Sequence, residues 1–188
     1  SRWNAAFNFC KGGNMQSVVK DLKLAPLGEQ KINWAKEYMP LMKYLGDKFG
    51  KSKIFKGINI VTSIHMEAKT AVFVLLLKQC GANVVATGCN PLSTQDDVAA
   101  ALAKNNISVF AKYGCTMKEY EKYLCMALDS HPSLIVDDGG DLVNLLHGKR
   151  SKQAVEICLV QKNMKLNMKN KKIIHLFLLN FNQFMKYV

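Results

Sequence analysis

Residues 83–113, "NVVATGCNPLSTQDDVAAALAKNNISVFAKY", decide the fold. "NVVATG" (83–88) is a run of small and β-branched residues, the composition of a buried strand. "TQDDVAAALAKNN" (94–106) reads as a helix with Ser93 or Thr94 as its N-cap. "ISVFAKY" (107–113) reads as a second strand. A strand, a helix and a strand in so short a span make a βαβ unit, whose crossover sets the two strands parallel. Between the first strand and the helix lie Cys89, Asn90, Ser93, Thr94, Gln95, Asp96 and Asp97. A helix cap uses one short polar side chain, so this run needs a second explanation.

Working outward, the same alternation continues. "GINIVTSI" (57–64) is strand-like, and "EAKTAVFVLLLKQCG" (67–81) is helical and closes at Gly81, the C′ position. "TMKEYEKYLCMALDS" (116–130) is a helix with Thr116 as cap and Glu119 at the capping-box position. "SLIVDD" (133–138) is a strand, and "GDLVNLLHGK" begins another helix. Four β-α units predict an α/β fold, an open parallel sheet with helices on both faces, Rossmann-like in plan. Upstream, "APLGEQKINWAKEYMPLMKYLGDKF" is helix-like: Ile32, Ala35, Tyr38 and Met39 recur at three- and four-residue spacing, and Pro40 punctuates the run. Residues 1–14 match no helix or strand template and are expected to be an unstructured leader, with Met15 as the natural start. Residues 15–150 form the expected domain. Residues 151–188 form a basic tail with one expected strand, 173–179.

The chain has 188 residues, 49% of them hydrophobic, enough for one domain with a sizeable core. No apolar run reaches the roughly 18 residues of a membrane span. The N-terminus lacks the apolar stretch of a signal peptide. The six cysteines, Cys10, Cys80, Cys89, Cys115, Cys125 and Cys158, show no CxxC pair and no zinc spacing. They are expected to be reduced thiols in a cytoplasmic protein, with no metal site. The net charge is +12, and residues 151–188, with seven lysines and one glutamate, carry half of it. That tail alone would support nucleic-acid binding, and its lysines are not interleaved with aromatics before Phe177, so nucleic acid is not the favoured partner.

In open parallel sheets, ligands bind outside the carboxyl ends of the strands. The polar stretches of this chain fall there: "SIHMEAKT", "TGCNPLSTQDD", "AKYGCT" and "VDDGGD". His65 follows one strand and has Glu67, Lys69 and Thr70 beside it. In "VDDGGD", Asp137 and Asp138 crowd negative charge, so one can take up a proton and serve as acid or base. The alternative is that Asp141 caps the next helix and the other two are solvated. Asn90, Gln95 and Asp96, in excess of capping, make a ring of donors and acceptors suited to a sugar or nucleobase. The chain has neither GxGxxG nor GxxxxGK[ST], so no recognised motif holds a dinucleotide or triphosphate.

Taken together, "WAKEYMPLM", "SIHMEAKTAV", "TGCNPLSTQDDVAAAL" and "VDDGGDL", in this order and spacing, resemble the S-adenosylhomocysteine hydrolase family from about Leu24 to His147. The resemblance implies the substrate-binding domain of a cytoplasmic, homo-oligomeric, NAD-dependent hydrolase. In that family bound NAD oxidises the ribose 3′-hydroxyl, the acidified C4′ proton leaves, homocysteine is eliminated, water adds and the ketone is reduced again. Partners would be S-adenosylhomocysteine, adenosine or inosine, and homocysteine, with no membrane. Carried over by motif, His65 lines the ribose and 5′ region, Asp138 is a catalytic acid or base near the sugar, and Asn90, Ser93, Thr94, Gln95 and Asp96 shape the pocket wall. Glu67, Lys69 and Thr70 face the substrate.

The chain departs from the family pattern in three places. Where most members have Thr-x-Glu-Thr after His-Met, this chain has Glu67-Ala68-Lys69-Thr70. A glutamate accepts a hydrogen bond from the exocyclic amine of adenine, whereas lysine has donors only, which suits the carbonyl of hypoxanthine. The family's Glu-Glu-Thr-Thr-Thr-Gly block is replaced by "EICLVQKNMKLNMKNKK". Lys186 falls where the family's catalytic lysine lies, but Phe181 and Gln183 break the pattern before it. Finally, the glycine-rich NAD domain lies beyond Val188 in the family, so no residue of this chain is expected to bind the cofactor, and no turnover is expected from the polypeptide alone. The alternative is a non-catalytic module that binds nucleosides or pairs with a full-length hydrolase.

Overall fold

The computed structural model describes residues 17–155 and 157. The expected leader, the start at Met15, the strand at 173–179 and Lys186 lie outside the described residues.

The chain enters with Ser17–Val19 beside the sheet and makes a 3-10 turn, Leu22–Leu24. Two helices follow: α1 (Ala25–Glu37), with proline in its first turn, and α2 (Pro40–Phe49), which Pro40 itself opens. Proline is tolerated there because the first helical N–H groups have no intrahelical acceptor. The single helix-like stretch of the sequence is therefore two helices. Ile32, Ala35 and Met39 are buried as their spacing predicts, but Tyr38 is 67% exposed and stacks on exposed Trp34, with ring centroids 4.8 Å apart. The helix ends at Glu37, so the periodicity no longer governs where Tyr38 points.

The β-α alternation then runs β1 (Asn59–Ser63), α3 (Ala68–Gln79), β2 (Asn83–Thr87), α4 (Asp96–Lys104), β3 (Ser108–Phe110), α5 (Met117–Leu128), β4 (Leu134–Asp137) and α6 (Asp141–His147). All strand pairs are parallel, in the order β3-β2-β1-β4. Residues 151–155 are helical again. The α/β class and the open parallel sheet stand as expected. β3 is shorter than its sequence run because the chain leaves the ladder after Ala111: the Tyr113 N–H donates to the Asp96 carboxylate at 2.9 Å instead.

Helices cover both faces of the sheet. On one face α1 to α4 pack with Ile60, Val84, Ala86 and Val109 into the larger apolar cluster. On the other, α5 and α6 pack with Val61, Phe110, Tyr123 and Leu142, and Ile157 joins them. α3 is apolar all round because it lies between the sheet and α1 with α2, so seven of its twelve residues are buried and Gln79 alone is exposed. It ends in a Schellman motif, as Gly81 predicts: Gly81 (φ +98) donates to the Lys78 carbonyl and Ala82 to the Leu77 carbonyl. α1 and α4 meet closely at Gly28, where an added Cβ would fall 2.0 Å from the Asp97 carbonyl oxygen.

The caps divide between expectation and correction. Thr116 and Glu119 form the capping box of α5, both halves present. The N-cap of α4 is Gln95, without a side-chain cap bond; neither Ser93 nor Thr94 fills that place. The reason is local. The Ser93 hydroxyl donates back to the Asn90 carbonyl at 3.1 Å, and Thr94 is turned inward against Gly88. Asp141 lies one residue inside α6, whose N-cap is the left-handed Gly140.

Candidate active site

The order β3-β2-β1-β4 creates the site. From β1 the chain moves outward through β2 to β3, then crosses the opposite face and returns to β4 on the other side of β1. The direction reverses between β1 and β4, and in open α/β sheets a crevice opens at the carboxyl ends of such a pair. Register puts Ser63 level with Thr87 on one side and Asp137 on the other. The residues just past these three positions meet: His65 after β1, Cys89 after β2 and Asp138 after β4.

Their geometry is compact. The Cys89 Sγ lies 3.5 Å from the His65 Nδ1 and 3.9 Å from the Asp138 Oδ2. The His65 Nε2 lies 3.8 Å from the same carboxylate oxygen. The His65 and Asp138 side chains are 52% and 55% exposed, so the cluster opens outward to solvent. Burial, then the Asp138 charge, pushes the Cys89 thiol up to about 11, which keeps it protonated at neutral pH. His65 and Asp138 are thus two solvent-facing groups able to give or take a proton beside a neutral thiol.

The two aspartates of "VDDGGD" have separate tasks. The Asp138 backbone N–H donates to the Ser63 carbonyl at 3.0 Å, which extends the β1–β4 pairing and holds its carboxylate at the crevice. Asp137 instead accepts from the Gly140 N–H at 3.2 Å and the Val143 N–H at 3.1 Å, tying down the start of α6. Burial raises the Asp137 carboxyl, and these backbone donors oppose the rise. Asp141 accepts from the buried Tyr120 hydroxyl at 2.7 Å.

The other sequence-derived residues are distributed around this centre. Glu67 is the N-cap of α3, and its N–H donates to the His65 carbonyl. Lys69 and Thr70 occupy the first turn of that helix. Thr70 is buried and its hydroxyl makes no hydrogen bond among the described residues. Asn90 closes its own turn by accepting from the Leu92 N–H at 2.7 Å. Gln95 donates its N–H to the Met66 carbonyl, which joins the β1 and β2 loops, and its side-chain oxygen accepts from Lys31 at 3.3 Å. Asp96 accepts from Tyr113 and pairs with Lys20 at 3.1 Å, and Asp97 pairs with Lys31 at 2.6 Å. The polar run that exceeds the needs of a cap therefore knits three strand-end loops and α1 together. Cys89 is the residue that motif reasoning passed over. Counting register from Ser63 would have found it, since Cys89 follows Thr87 by the same two residues that separate His65 from Ser63.

The described residues do not fit the NAD that the resemblance implies. A dinucleotide pyrophosphate rests on a glycine-rich first βα turn and a bare helix N-terminus. Here the β1–α3 turn carries His65, Met66 and Glu67, and the Glu67 carboxylate belongs to the N-cap residue, where the anion would lie. His65, Cys89 and Asp138 line neither the cavity of about 210 Å³ among α1, α2 and α3 nor that of about 500 Å³ between α5 and α6.

Similarity to known proteins extends along most of the chain. The model of the family described as S-adenosyl-L-homocysteine hydrolase matches residues 16–187. The S-inosyl-L-homocysteine hydrolase of Methanocaldococcus jannaschii is 50% identical over 133 residues, covering 71% of this chain and 32% of that protein. The adenosylhomocysteinase of Pyrococcus abyssi is 46% identical over 139 residues, 74% of this chain and 33% of its own length. That of Thermosynechococcus vestitus is 45% identical over 140 residues, with the same two shares. The chain spans about a third of the length of the curated relatives it matches.

Proposed function

This chain belongs to the S-adenosyl-L-homocysteine hydrolase family, and from that premise we propose that it supplies the nucleoside-holding part of a cytoplasmic, homo-oligomeric enzyme. The net reaction is the addition of water across a thioether bond, which splits S-adenosyl- or S-inosylhomocysteine into nucleoside and homocysteine. The observation that carries this is the convergence of His65 and Asp138 at the β1–β4 crevice, both exposed to a ligand arriving from solvent. In this reading His65 and Asp138 hold and move protons at the sugar. The loops from Asn90 to Asp96 form the wall, braced by Lys31 and Lys20. NAD, the cofactor of the proposed reaction, is held by residues other than those described.

The names of the relatives divide between adenosine and inosine derivatives, so base preference turns on local chemistry. Lys69, in the first turn of α3, offers donors alone, and this supports the inosyl substrate.

Calorimetric titration of the full chain with adenosine and with inosine tests the proposal. The expected result is binding of a nucleoside, weakened about tenfold or more in Asp138→Asn, since a hydrogen bond to a charged group is worth roughly 1.5–3 kcal/mol. Binding of neither nucleoside, or equal binding by the variant, overturns it.

A further inference from the structure

The cavity of about 210 Å³ among α1, α2 and α3 has no part in the proposed chemistry. Ile32, Met42, Val72 and Leu76 form its walls, each 5% exposed or less, so its body is apolar and set into the larger core. One end is closed. Gly46 brings α2 so near α3 that an added Cβ would stand 3.1 Å from the Gln79 amide and 3.3 Å from Leu76, and the Gln79 side chain donates to the Gly46 carbonyl at 3.3 Å. At the α1–α2 corner, Lys36 and Lys43 also line the cavity, and both are exposed. Neither ammonium group has an ion-pair or hydrogen-bond partner among the described residues. Asp47, the one carboxylate in the lining, lies a helical turn beyond Lys43 and makes no ion pair with it. A lone surface lysine lays its stem on apolar surface and keeps its head in water. Two of them, unpaired and on one apolar cavity, also offer donors and positive charge to whatever fills it. The volume is below the roughly 300–1,000 Å³ of sites for drug-sized ligands, so the occupant is small.

We propose that this cavity binds a small amphipathic anion, a carboxylate on a short hydrocarbon body. The hydrocarbon lies against Ile32, Met42, Val72 and Leu76, and the carboxylate is held by Lys36 and Lys43. No covalent bond is made or broken. An ammonium group on the same body meets two like charges and is rejected. His65, Cys89 and Asp138 line none of this cavity, so binding here is independent of the nucleoside.

The test uses octanoate and octylammonium as probes, titrated into the full chain carrying carbon-13 in its methionine methyl groups and followed by nuclear magnetic resonance. The Met42 signal is identified as the one missing from Met42→Leu. Octanoate is expected to move that signal to saturation, and octylammonium to leave it in place. The double variant Lys36→Gln with Lys43→Gln, checked for native circular dichroism, is expected to bind octanoate about tenfold more weakly, each lysine contributing about threefold, as an exposed ion pair does. Raised salt is expected to weaken octanoate binding in the native chain, since exposed charges are screened. A Met42 signal unmoved by octanoate overturns the site. An equal response to octylammonium, or undiminished binding by the double variant, overturns its assignment to an anion.

Discussion

Adjacent residues of like chemistry can serve different ends, and the aspartate pair after β4 shows how. Asp137 accepts backbone N–H groups at the start of α6, whereas Asp138 turns its carboxylate to the crevice. Asp137→Ala is therefore expected to cost about 1 kcal/mol of stability, the usual loss of a cap, in chemical denaturation. Asp138→Asn, the variant tested above, should leave that stability within about 0.5 kcal/mol of native. Equal stability losses would mean that the pair is not divided. Lys69 carries a second prediction at this scale. Lys69→Glu exchanges donors for acceptors and should move the ratio of adenosine to inosine affinity toward adenosine, read by paired titrations; an unchanged ratio removes Lys69 from base recognition. The residues by themselves showed that acid–base groups cluster at "VDDGGD" and "SIHMEAKT", whereas singling out Asp138 from Asp137 took the family resemblance. That choice depends on one backbone bond, Asp138 to Ser63, between strands distant in the chain. Cys89 was hidden for the same reason: a lone cysteine has no motif until register sets it beside His65.

At the scale of elements, local signals were read well where local chemistry decides and poorly where packing does. The Thr116–Glu119 box and the Gly81 terminus are contained in a few residues each, and both formed as their sequence dictates. The start of α4 did not. Ser93 and Thr94 are good caps by type, but the loop uses them to close its own turn and to pack against Gly88, so the helix begins at Gln95 without side-chain help. α4 is held instead from outside, by the Lys31 and Lys20 pairs and by close contact with α1. Gly28 makes that contact possible, and nothing in its sequence surroundings announces it. Gly28→Ala places a methyl group into the Asp97 carbonyl, and overpacking of this kind costs about 1–3 kcal/mol. A lowered midpoint of denaturation is expected. A midpoint equal to or above the native one would mean that α1 and α4 can part at no cost.

For the whole molecule, the class of fold was legible because four β-α alternations leave few arrangements of strands and helices. The strand order was not, since the periodicity of a strand does not name its neighbour. Yet that order sets β1 against β4 and makes the crevice. β4 is also the least covered strand, only partly buried along its length, and among the described residues it pairs with β1 alone. This has a consequence in time. β1, β2 and β3 are joined by short crossovers and can zip together in sequence, whereas β4 must return across the opposite face to close the longest loop of the sheet, and contacts of large sequence separation form slowly. His65 and Cys89 are then positioned early and Asp138 late. Pulse-labelling hydrogen exchange during refolding should find amides of β1 and β2 protected before those of β4, and simultaneous protection would reject the sequence of events. A chain still emerging from the ribosome would accordingly hold a half-made crevice until β4 arrives.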